Sequence, residues 1–486
     1  MLVSLLTSVV LARQLSQEGL ATYRQAFLAY NFVAPVLTLA LPQALYFFLP
    51  RYRERERAVV VTNVLMLTAL GALFSLALGL GGTRLLAMQF NNPQLEGVMR
   101  AFLLYPLLMF PTGALSACLV AKERIVALTV FTLLSQIAVA VATVGACLLR
   151  PDPQLLVAVN VTIAMCAVIP ALALMFKACR TGPLRLDPTV GWAMLKYTVP
   201  LGLAGLLGTL TLQMAGVVVS ALRPPAEFAV FSIGAIEIPL IGIVTGSIST
   251  VILADMARLC QAGQRSAALD LFRTAALRSA AILLPAMMFL LVAARPFIEG
   301  LYSAKYEGSV LVFQLYLLLL PVRIVYYGPA LMALGRTKQV LWRSIGDFAL
   351  TGLLCLVFVR WFGYMGAVVA LIVTMFLWTV PFNLFCIGRG FGVRMRDILP
   401  VRELGSIGLL VAIPAMVASA WRLAPDLPRL GQLAIASALY MPLTFLLLWR
   451  AGFLPIDLLR GLPVAGSWFI RLDGVIQGRQ TDSTAR

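Results

Sequence analysis

Apolar residues run through this chain in blocks of about 20, separated by short polar interruptions, from one end to the other. The approximate blocks are 1–12, 26–49, 58–81, 98–121, 125–149, 155–176, 197–222, 228–253, 279–298, 309–334, 340–359, 364–387, 405–421 and 430–449. A helix rises about 1.5 Å per residue, so a block of about 20 covers the hydrocarbon core of a bilayer. The pattern predicts an all-α polytopic membrane protein with about 14 transmembrane helices. A transmembrane β-barrel would show short alternating segments instead. The first block is the exception, with about a dozen apolar residues before Arg13. It lacks the basic leader and cleavage site of a signal peptide. It reads as a truncated first helix, from either a mis-called start or a fragment.

Composition sharpens this picture. The 486 residues are 61% hydrophobic and 12% charged, with a mean hydropathy of +0.94, whereas soluble domains are nearer a quarter charged. The net charge of +18 comes from 38 Lys and Arg against 20 Asp and Glu. No basic, aromatic-interleaved domain accompanies it, so it does not indicate nucleic acid. Assigning the loops alternately to two sides puts roughly 26 basic residues on one and 11 on the other, with Arg323 on neither. By the positive-inside rule the richer side is cytoplasmic and so are both termini. The run RYRERER (Arg51 to Arg57) reads as a solvated determinant of that orientation. The largest inner connection, about 254–278, carries Leu269, Phe272, Ala276 and Leu277 on one face with Arg265, Arg273 and Arg278 along it, and predicts an amphipathic helix on the anionic leaflet. The stretch after about 466 reads as a polar cytoplasmic tail.

The chain has no histidine, and its seven cysteines show no CxxC spacing. Neither a metal site nor a cofactor is expected, and no GxxxxGK[ST] motif points to ATP. Short outer loops without acidic clusters argue against a membrane enzyme that polymerises or transfers sugars.

Two segments repeat. FLLYPLLMFP (Phe102 to Pro111) resembles FQLYLLLLP (Phe313 to Pro321), and VVLARQLSQEGLATY (Val9 to Tyr23) echoes VVVSALRPPAEFAVF (Val217 to Phe231), each at an offset of roughly 210 residues. The chain therefore divides into an N-terminal lobe (1–176), a C-terminal lobe (194–387), two extra helices (405–449) and the tail (466–486). Parallel repeats of this kind are common in transporters.

The stretch LARQLSQEGLATYRQAFLAYNFVAPVLTLALPQALYFFLPRY resembles the opening of the Wzx-type polysaccharide-unit flippases of the multidrug/oligosaccharidyl-lipid/polysaccharide exporter superfamily. Arg13 and Tyr23 match that family, Ala21 stands where glycine is usual, and LYSAKYEGSVLVFQLYLLLLPVRIVYYGPALMALGRTK resembles its second-lobe segment. The resemblance implies two six-helix lobes around a central cavity. It also implies alternating-access export of an oligosaccharide on polyprenyl pyrophosphate across the bacterial inner membrane, for O-antigen, exopolysaccharide or capsule. Its partners would be the lipid-linked oligosaccharide, membrane lipids and the polymerase or export machinery. The alternatives are a peptidoglycan-precursor flippase and a cation-coupled multidrug antiporter of the same superfamily. The antiporter is disfavoured by the lack of Asp or Glu inside the first six blocks.

The ionisable residues inside apolar blocks are the candidate site. Arg323 sits near the centre of block 309–334, where an arginine must face a cavity or a partner. It reads as a cation for the pyrophosphate, as an ion-pair partner of Asp347 or Glu237, or as a residue reaching to an interface. Glu237, two residues before Pro239, and Asp347 are candidates for ion coupling; Arg343, four residues before Asp347, offers the latter a local helix pair. Arg13 and Arg24 lie at the outer ends of the first two blocks and Lys196 at the inner mouth of the seventh. These three are further candidate cavity cations, with interface anchoring as the plainer reading.

Overall fold

The computed structural model describes residues 2–453 apart from 237 and 424. Glu237 and the tail 466–486 therefore lie outside the described residues. Of the described residues 85% are helical, and none is in a strand. Among the described residues ten helices are long and apolar enough to cross a membrane, or up to twelve if each of two bent pairs counts as one span. The expected 14 are not reached on this count. The first helix, Leu2–Gln14, is too short, and the eighth block is divided between Pro225–Gly234 and Pro239–Gln261.

The chain forms two compact units. The larger comprises 1–239, 298–316 and 337–383, and the smaller 240–297, 317–336 and 384–486.

In the larger unit the second block is not one straight helix. Gln17–Thr38 bends by 52° against residues 41–51. Leu39 (φ 41°) and Ala40 (φ 61°) both take the left-handed conformation at the corner, between Pro35 and Pro42. Each such residue costs about 1–3 kcal/mol, so the surroundings must hold the corner. Asn63 does so by donating from Nδ2 to the Leu41 carbonyl at 2.8 Å. The long helix Pro188–Leu222 passes so close that a Cβ at Gly202 would fall on the Leu39 carbonyl and within 2.7 Å of the Leu39 Cα. A second bend, of 53°, separates Gln94–Ala101 from Tyr105–Ala121. It falls inside the repeated FLLYPLLMFP, and its partner FQLYLLLLP spans the break between the helices Ser309–Leu317 and Leu320–Arg323.

The RYRERER run is exposed at Arg51, Arg53, Glu54 and Arg55 and departs from its reading as a solvated stretch at its end. Glu56 is 6% exposed, and its carboxylate takes the Lys122 ammonium at 2.7 Å. The Arg57 amide donates to the Thr181 carbonyl at 3.0 Å, and the Thr181 hydroxyl donates to the Arg53 carbonyl. Arg55 lies 3.6 Å from Asp187. Glu56 faces inward while Arg53 and Arg55 are exposed and the half-buried Arg57 donates to the Cys179 carbonyl at 3.4 Å.

Asp187 caps the helix Pro188–Leu222, accepting from the Thr189 amide at 3.1 Å and the Thr189 hydroxyl at 2.5 Å. Those bonds, the hydroxyl foremost, hold its carboxyl below the ordinary carboxylate value. A lowered folded-state value means that this contribution to stability is complete above the unfolded value near 4 and is lost as pH falls through the lowered value. Acid titration of thermal stability is expected to show a loss below about pH 4, reduced in Asp187→Asn, whose amide still caps the helix.

In the smaller unit the predicted surface helix is not separate. Pro239–Gln261 turns at Gly263 (φ 74°) into Arg265–Val292, one continuous helix of 28 residues. Leu269, Phe272 and Ala276 are buried inside the protein instead of facing lipid. Arg273 donates to the Ile398 carbonyl at 3.4 Å and to that of Asp397. Farther along the same helix, the Tyr440 hydroxyl donates to the Pro285 carbonyl at 2.9 Å and the Trp421 indole to that of Val292 at 3.3 Å.

Candidate functional site

Three cavities adjoin one another inside the larger unit: Met109 lines all three, Tyr30 the first and second, and Tyr105 the second and third. The first, of about 480 Å³, lies along the bent corner and the glycine face of Pro188–Leu222. Asn31, Thr38, Gln43, Thr209 and Gln213 line it with amides and hydroxyls, Tyr30 adds an aromatic face, and no charged residue among the described ones takes part. On the helix Pro188–Leu222, Gly202 and Gly205 line it without side chains, while Leu206, Thr209 and Gln213 project theirs. Amides carry both donors and acceptors, so such a lining matches the hydroxyls of a sugar. Asn31 and Gln213 are polar residues inside apolar blocks, a signal that attention to ionisable groups passed over. The second cavity, of about 390 Å³, adds Thr132, Ser135 and Asn160; the third, of about 400 Å³, adds Ser4, Thr7, Ser8 and Arg24.

Arg24 is half-buried. One terminal nitrogen donates to Ser232 Oγ at 2.8 Å and the other to Ser8 Oγ at 2.7 Å. Arg13, by contrast, lines none of these cavities. Its Nε donates to the Leu301 carbonyl at 2.7 Å and a terminal nitrogen to that of Gly300, closing the end of the helix Ala294–Tyr302. Lys305 returns the contact, its ammonium reaching the Leu15 carbonyl at 2.6 Å and that of Arg13 at 3.2 Å. The pair stitches two segments 287 residues and more apart, as basic residues at helix C-termini do. Lys196 is exposed, with its ammonium 5.4 Å from the centre of the Trp192 ring.

The block holding Arg323 is broken into Ser309–Leu317, Leu320–Arg323 and Tyr327–Ala333. Arg323 is the last residue of the middle piece and half-buried. Val325, Tyr326 and Tyr327 beside it are buried, and Tyr326 shares a 2.6 Å hydrogen bond with Ser279. Irregular backbone at membrane depth is tolerated where protein or a cavity covers it, not lipid.

Asp347 pairs with Arg343 at 3.5 Å and accepts from the Thr379 hydroxyl at 2.6 Å. Thr379 ends a π-helical turn, Met375–Thr379. Around that wider turn Thr374, Thr379 and Asn383 share a face: the Thr379 hydroxyl lies 3.3 Å from the Thr374 carbonyl, and Asn383 Nδ2 donates to the Thr379 carbonyl at 2.7 Å. The Thr374 hydroxyl and Asn383 Oδ1 are buried without a partner. Such widened turns recur at functional sites.

Bent and broken spans beside cavities with polar side chains in their walls define a multi-pass membrane protein of transporter architecture. The structure is similar to the lipid II flippase MurJ in an inward closed conformation, with a TM-score of 0.68 and 14% identity over 93% of this chain and 97% of that one. It is also similar to an inward-facing multidrug resistance transporter of the MATE family in the MOP superfamily, with a TM-score of 0.62 and 13% identity over 82% of this chain and 95% of that one. At such identities the likeness is one of fold. Residues 10–311 match the family described as polysaccharide biosynthesis protein, and the chain belongs to that family. No curated protein sequence matches it.

Proposed function

We propose that this protein flips an oligosaccharide repeat unit on polyprenyl pyrophosphate from the cytoplasmic to the outer leaflet of the bacterial inner membrane. It would work by alternating access of its two sequence lobes and serve O-antigen, exopolysaccharide or capsule synthesis. The observation that carries this reading is the uncharged cavity lined by Asn31, Thr38, Gln43, Thr209 and Gln213 in a member of a polysaccharide biosynthesis family. A cationic drug would need acidic residues there. The excess of basic residues in alternate loops supports cytoplasmic termini and an inward sugar-loading side. Arg323, held at a break in its span, is the cation proposed for the pyrophosphate, which its planar fork suits.

A second feature supports coupling to a monovalent cation. Asp347, Thr379 and the partnerless oxygens of Thr374 and Asn383 make an oxygen-rich group on two helices, and hard cations take oxygen ligands. Export of repeat units in cells lacking their own flippase tests both, at matched expression. Arg323→Ala is expected to lose export by tenfold or more, about the weight of one charge-assisted contact, with partial recovery in Arg323→Lys. Asp347→Asn is expected to export without response to sodium or proton gradients. Normal export by Arg323→Ala would remove that residue from the site. No export by the wild type with any repeat unit would overturn the assignment.

A further inference from the structure

The first cavity is polar, yet the described residues bring it no charge. Asn31 reaches it from the helix Gln17–Thr38, Gln43 from the corner after that helix, and Thr209 and Gln213 from Pro188–Leu222. Gly205, Thr209 and Gln213 stand four residues apart, so they share one face of their helix. The carboxamides of Asn31, Gln43 and Gln213 make no hydrogen bond to any described residue. Each offers two N–H donors and a carbonyl acceptor. Tyr30 adds a ring held in place by its neighbours, edge to face with Tyr105 at 5.1 Å and tilted against Phe110 at 6.0 Å between centres. A sugar ring carries hydroxyls at its rim and C–H groups on its faces, and this lining offers partners for both. The volume of about 480 Å³ lies in the range of small-molecule sites, about 300–1,000 Å³.

Cations stand elsewhere. No lysine or arginine among the described residues lines the first or the second cavity. Arg24 lines the third, and its terminal nitrogens already donate to Ser8 and Ser232. A carboxylate brought into the first cavity would exchange water for neutral dipoles, with no cation to pair with it. A hydroxyl or an N-acetyl group gives up less hydration and finds both donors and acceptors there.

We propose that this cavity selects repeat units by charge. It takes neutral sugars, hexoses and N-acetylhexosamines, and rejects those bearing a carboxylate. Asn31, Gln43 and Gln213 are the specificity-determining residues. This selection rests on the flippase reading and adds to it the class of sugar. The charge of the pyrophosphate does not enter the comparison, because every repeat unit carries it.

Export in two hosts lacking their own flippase tests this, at matched expression of the full chain. The repeat unit of one host is wholly neutral, and that of the other contains a uronic acid. The wild type is expected to restore surface polymer about tenfold better in the neutral host, the weight of one hydrogen bond to a charged group. Gln213→Lys should move the ratio about tenfold toward the acidic unit, as a cation in reach of the carboxylate would. Gln213→Glu should move it the other way, which separates charge from loss of the amide. If Gln213→Lys does not reach the membrane, Asn31→Lys carries the test. Equal or better restoration of the acidic host by the wild type would overturn the proposal and leave the flippase reading in place. So would a ratio that the lysine variants leave unmoved. Restoration of neither host would remove the flippase reading and the selection with it.

Discussion

Gly202→Ala is expected to yield little folded protein, while Gly208→Ala, six residues along the same helix, is expected to behave as wild type. The added methyl at 202 meets the backbone carbonyl of Leu39, and backbone at that corner has nowhere to go. Leu39 and Ala40 already occupy left-handed conformations, and the Leu41 carbonyl is held by Asn63. Relief by a small shift of a side chain is unavailable, so the cost should reach or exceed the about 1–3 kcal/mol usual for overpacking. At Gly208 a Cβ would meet nothing within 4 Å, and alanine should add helix propensity there. Fluorescence-detected size exclusion and thermal unfolding of both variants check this. Normal folding of Gly202→Ala would mean that the helix stands farther from the corner.

The second large effect is expected at Glu56 and Lys122. Glu56→Lys puts two cations where a buried carboxylate and an ammonium now stand 2.7 Å apart. Removing one member of a buried pair costs about 3–5 kcal/mol because the other is left without its partner. Lys122 is 27% exposed in its side chain, so the lower end of that range applies. Lys122→Glu should be comparably harmful. The double exchange Glu56→Lys with Lys122→Glu should recover much of the loss, which separates pairing from the bulk charge of the loop. If Glu56→Lys alone matches wild type in thermal stability and yield, the RYRERER run is a solvated orientation signal after all.

Much of this was legible before any coordinates. Runs of about 20 apolar residues disclosed the helices, and most of their bounds fell within several residues of the observed ones except where a span bends or breaks; the helices Pro188–Leu222 and Arg265–Val292 begin about 9 and 14 residues before their blocks, because their first turns are polar. The breaks had visible causes in part: Pro35, Pro42, Pro321 and Gly328 are all present in the sequence. The left-handed pair Leu39 and Ala40 had none, because neither residue type favours that conformation. The partners of charged residues were the least legible. Arg13 looked like a cavity cation, yet its acceptors lie 287 and 288 residues away. Glu56 looked solvated because its partner lies 66 residues away. The local pair of Asp347 with Arg343 was readable from helical spacing. The cavity of Asn31 and Gln213 was open to discovery in principle, since uncharged polar residues in apolar blocks need partners as much as charges do.

The π-helical turn Met375–Thr379 has a bearing on how relatives of this chain are aligned. A widened turn is one residue inserted into an ordinary helix. Removing a single residue there would restore regular winding and rotate all that follows by about 100°. Thr379 and Asn383 would then leave the face that meets Asp347, although every residue type was kept. A gap of one position in this segment therefore says more about whether a relative retains the oxygen-rich group than the identity of any residue within it.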